Sequence, residues 1–137
     1  MKTLTWILPL IVLLMFSSCR KDQRKVNRME GKWSVVWAKL PNFGKVEPDL
    51  IFKFDWCKIR FDDFCDFSVY NFKLDESEFG IYSVSNDGNA VTISFEESGY
   101  NHFEVFSIER LNFRTLKLKN TNSQSMYYSE LRLRSID

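Results

Sequence analysis

Residues 29–40, MEGKWSVVWAKL, decide the fold. Trp33, Val35 and Trp37 alternate with Lys32, Ser34 and Val36, and a period of two places alternate side chains on opposite faces of an extended strand. The pattern then repeats along the chain: Phe52-Lys53-Phe54, Cys57 to Phe61, Val91/Ile93/Phe95, Phe103-Glu104-Val105, Leu116/Leu118 and Leu131/Leu133. Runs over 64–74, 79–84 and 126–134 bring the total to eight or nine short strands, and no long helix is predicted. Asn86-Asp87-Gly88-Asn89 reads as a hairpin turn, in which Gly88 takes positive φ without a steric penalty. The 13 Phe, four Trp and five Tyr favour strands and bury large apolar areas. A sheet with one wet and one apolar face must curl until the apolar face is enclosed. The expectation is therefore all-β: a small antiparallel meander β-barrel of about eight strands.

Upstream of this, Lys2 precedes an apolar segment from Leu4 to Phe16, too short for a hydrocarbon core that needs about 20 residues. It ends in Phe16-Ser17-Ser18-Cys19, which resembles the lipobox of bacterial lipoproteins. The resemblance implies cleavage before Cys19 and a diacylglycerol on its thiol; an ordinary secretory signal is the alternative, and both export the chain. Residues 1–18 are thus assigned to a signal peptide, 19–30 to a charged, solvated tether (RKDQRKVNR at its centre) and 31–137 to the barrel domain. In the lipoproteins this resembles, an Asp after the cysteine marks inner-membrane retention and an acidic cluster marks surface display. Arg20 and Lys21 match neither, so the expected location is the periplasmic face of the outer membrane, with the membrane as a partner through the lipid.

Removing residues 1–18 leaves 119 of 137, enough for one domain and too few for two. Of 19 Lys+Arg and 18 Asp+Glu, the signal takes one Lys, so the mature side chains balance. That balance lends no support to nucleic-acid binding, which needs a basic face. With Cys19 lipidated, Cys57 and Cys65 remain as an even pair in an oxidising compartment, sharing parity with Ile59 and Phe67 across a turn near Phe61-Asp62-Asp63-Phe64. A disulfide between them is expected.

Motifs for chemistry are lacking. There is no C-x-x-C or H-E-x-x-H spacing, no Gly-rich phosphate loop and no G-x-S-x-G. Asp62-Asp63, Glu96-Glu97 and Leu74 to Phe79 read as solvated loops, and the single histidine, His102, as structural or exposed. The chain is expected to be no enzyme and to need no metal or cofactor.

Gly31-Lys32-Trp33 matches the G-x-W start of lipocalins, and the whole mature chain resembles the short lipocalin-like domains of bacterial lipoproteins, with a later FGIYSV step (79–84) and a closing LKLKN...YYSELRLR hairpin. The resemblance implies that Gly31 and Trp33 are structural at the closed barrel end, with a late-strand arginine, Arg132 or Arg134, over the indole. It implies two readings of function. One is a binding module for a small apolar ligand, its lumen lined by Trp37, Phe52, Phe54, Phe95 and Phe103. The other is a filled barrel that docks or inhibits an envelope protein. Composition does not separate them, since aromatic side chains line pockets and fill cores alike.

Overall fold

The computed structural model describes residues 24–56, 64–85, 87–97 and 99–137. Its strands are β1 (Gly31–Lys39), β2 (Lys45–Val46), β3 (Leu50–Phe54), β4 (Cys65–Asn71), β5 (Glu76–Val84), β6 (Ala90–Glu97), β7 (Tyr100–Leu111), β8 (Thr115–Asn120) and β9 (Glu130–Ser135). Each of β3 to β9 pairs antiparallel with the next, β1 pairs with β3, and β9 returns to β1 with Trp33 opposite Ser135 and Lys39 opposite Glu130. The result is a closed eight-stranded barrel, as the alternation predicts. The extra strand, β2, pairs only with the far end of β1 through Ala38 and Lys39.

Closure pairs each of the eight barrel strands on both sides and leaves only the short β2 as an edge, so the two ends are the places where the barrel differs. One end gathers the start of β1, the end of β3, the junction of β5 and β6, the 112–114 turn and the C-terminus; the other gathers the loops over 40–49, 72–75 and 121–129 and the junction of β6 and β7. Side-chain oxygens build several of these turns. Asn71 Oδ1 accepts from the Lys73 and Leu74 N–H groups at 3.1 and 3.0 Å, and Asn112 Oδ1 accepts from Arg114 and Thr115 at 2.9 and 2.8 Å. In the 85–89 turn Gly88 has φ 70°, and Asp87 Oδ1 accepts from Ser85 Oγ and the Asn89 N–H. Those bonds, led by the one from Ser85, hold the Asp87 carboxyl below the usual range.

Three expectations change here. The strand expected over 126–134 is confined to Glu130–Ser135, which leaves Tyr127 and Tyr128 in a loop. In β1 the register shifts between Val35 and Trp37, a bulge that carries one extra residue. Trp33 and Val35 point inward, but beyond the bulge Ala38 takes the inner face, and Trp37 lies opposite Arg132 on the outer one.

The third change concerns the tether. Residues 24–29 form a short helix, α1, with Val26 1% and Met29 0% exposed inside the core. Their three-residue spacing puts both on one helix face. The segment 24–30 therefore belongs to the folded domain. The lipidation and signal assignments on residues 1–19, together with Cys57 and the Asp62-Asp63 turn, lie outside the described residues. No helix among the described residues is long and apolar enough to cross a membrane.

Candidate functional site

Among the described residues, the end covered by α1 is filled by buried side chains. Trp33 is 1% exposed, and its indole Nε1 donates to the Met29 carbonyl at 2.8 Å. The indole is thus satisfied by the helix, while Arg132 and Arg134 stand exposed on the outer face of β9 rather than over the ring. Gly31 has φ 122°, and a Cβ there would collide with the Asp137 carboxylate, which accepts the Lys32 N–H at 2.7 Å. The backbone conformation favours glycine there, whereas the Asp137 side chain could swing aside.

Around Trp33 stands a wall of aromatic side chains. Phe54 lies 5.0 Å from Phe67 and, edge on, 5.0 Å from Tyr82; Phe52 meets Phe67 at 5.4 Å and 84°. Tyr82, buried among them, donates its hydroxyl to the Asp55 carbonyl. Burial first, then the Glu30 and Asp55 carboxylates, push its phenol well above the usual range.

The opposite end is hollow. A cavity of about 600 Å³ opens there, lined from the 40–49 segment by Leu40, Pro48 and Asp49 and from the strands by Leu50, Val69, Asn71, Glu76, Glu78, Phe95 and His102. Leu74, Met126, Tyr127 and Tyr128 complete the lining from two loops. Register explains why: Val69 pairs with Glu78, Asn71 with Glu76, and Phe95 with His102, so each pair shares the inner face. His102 stacks on Phe95 with ring centroids 5.0 Å apart and planes at 20°, and Tyr127 lies 5.5 Å from both.

The roof over this cavity hangs on one carboxylate. Glu104 is 8% exposed on the inner face of β7 and accepts from Ser125 Oγ at 2.8 Å and from Asn120 Nδ2 at 2.9 Å. Ser125 Oγ in turn accepts the Tyr127 N–H, and Asn120 Nδ2 also reaches the Tyr128 carbonyl. The 121–129 loop is thereby fixed with both tyrosines against the cavity.

Of the five residues expected to line the lumen, Phe52, Phe54 and Phe95 are inside, and only Phe95 lines the cavity; Phe52 and Phe54 fill the packed end. Trp37 is outside beneath Lys45, whose Nζ lies 4.4 Å from the ring centroid. Phe103 is 67% exposed, because β7 turns His102, Glu104 and Phe106 inward instead. Glu96 is exposed on β6, as expected of a solvated residue. Glu76 and Glu78, read in the sequence as solvated loop, sit on the inner face of β5 at the mouth. Cys65 opens β4, packed against the core.

Large apolar side chains also stand exposed at this end: Phe43, Phe72, Leu74 and Met126 on loops and Tyr100 at the start of β7. Among the described residues no group of three or more His, Cys, Asp or Glu is placed to hold a metal ion. No protein-family model, curated protein or solved structure matches the chain.

Proposed function

We propose that the chain is an exported, lipid-anchored, lipocalin-like binding module whose open barrel end holds a small ligand with an apolar body. One observation carries this reading: the barrel has a cavity of about 600 Å³ at one end, within the roughly 300–1,000 Å³ range of small-molecule sites. A barrel filled along its length would have favoured docking instead. In this reading the protein is not an enzyme, Cys19 carries the lipid at the outer membrane, and Cys57 pairs with Cys65.

The test is native mass spectrometry of the protein purified from membranes, alongside displacement of an apolar dye. We expect a bound small molecule or a displaceable dye site, lost in Leu50→Trp, which fills the cavity, with the melting temperature nearly unchanged. Dye binding unaffected by Leu50→Trp would defeat the assignment. For the anchor, a clickable fatty acid should label the protein and fail to label Cys19→Ala.

The exposed ring of Phe43, Phe72, Tyr100 and Met126 favours a second reading, in which the mouth docks an envelope protein. Crosslinking from Tyr100 in intact cells would then trap one partner, and Leu50→Trp would leave that product intact.

A further inference from the structure

Resting on the reading of the open end as a ligand site, we propose that its ligand is an organic cation: an amine or quaternary ammonium carried on an apolar body. Glu76 and Glu78 point into the mouth from the inner face of β5, and Asp49 joins them from the segment before β3. Among the described residues no Lys or Arg lines the cavity, and His102, stacked on Phe95, is the one basic side chain there. Lys45 is turned away onto the outer face of Trp37. Among the described residues the one side-chain ion pair joins Lys53 to Asp55, so none of the described cations is paired with these three carboxylates. An anionic head group would meet three like charges at the mouth; a cationic one gains from each.

The wall supplies the second half of the argument. Phe95, Tyr127 and Tyr128 present ring faces and edges in one cluster, with Tyr127 and Tyr128 4.8 Å apart. The electron-rich faces of aromatic rings attract alkylammonium groups, most strongly where water is excluded. Carboxylates at the rim and aromatic rings behind them select the same charge. The apolar remainder, Leu40, Leu50 and Val69, accommodates an alkyl or ring body.

Calorimetry with three probes of one chain length, decyltrimethylammonium, decanol and decanoate, separates head-group charge from the apolar body. The cation should bind at least about tenfold more tightly than decanoate, with a preference over decanol that falls as salt is raised. Glu76→Gln with Glu78→Gln should weaken the cation about fivefold or more, the scale of one unit-charge contact in water, and leave decanol unchanged. Decanol binding with no preference for the cation would overturn this inference and leave the ligand site standing. Failure of all three probes to bind would remove both.

Discussion

The two ends of the barrel are made from the same strands and behave oppositely. At one, Trp33, Met29, Phe54 and Tyr82 close against each other with almost no exposure; at the other, Phe95, Tyr127 and Tyr128 stand around an empty volume among carboxylates. The difference lies in what covers each end. A helix that buries two apolar residues seals the first, whereas the second is roofed by a loop held through hydrogen bonds to a carboxylate. Large-to-small changes at the sealed end should cost stability without touching a ligand. Changes at the mouth should do the reverse.

The sharpest way to break that contrast is Trp33→Ala. Truncating a buried aromatic leaves a cavity, and a loss of about 3–5 kcal/mol is expected in denaturant unfolding. A variant with an unchanged midpoint but a lost ligand would invert the roles of the two ends. Met29→Ala comes next, at about 2–4 kcal/mol, because Met29 is 0% exposed in the core. If residues 24–30 were a solvated tether, this change would be silent.

Glu104→Ala should cost about 1–3 kcal/mol by stranding the Ser125 and Asn120 donors, and it should raise amide exchange in the 121–129 loop more than in the strands. Uniform exchange would show that the loop and barrel are one cooperative unit. The smallest effect expected is at high pH. Tyr82 is raised above its ordinary value by burial. Its contribution is complete below the unfolded phenol pKa of about 10 and is lost as pH rises above it. Stability should fall with pH more steeply in the parent than in Tyr82→Phe, and parallel curves would place that tyrosine in water.

Strand number, closure and the inward direction of Trp33 were legible because one buried face imposes a period of two on every strand. What was not legible had local alternation at odds with a distant partner. Phe103-Glu104-Val105 reads as apolar-polar-apolar, yet the inward residue is Glu104, whose partners lie 16 and 21 residues downstream. The alternative phase, His102, Glu104, Phe106, was present in the same strand, but nothing nearby announces that a carboxylate can be satisfied inside. Trp37 was misplaced by a single extra residue at Val36, and bulges leave little trace in composition. Val26 and Met29 did carry a helical spacing, hidden within a segment dominated by charge.

That short helix also makes the seal depend on a segment outside the sheet. Val26 and Met29 belong to the core, and the Met29 carbonyl is the acceptor that satisfies the buried Trp33 indole. Detaching residues 24–29 would expose apolar surface and orphan a buried N–H in one step. The strands alone would then be a barrel without a stopper, and the domain that folds is the barrel with the turn of helix that precedes it.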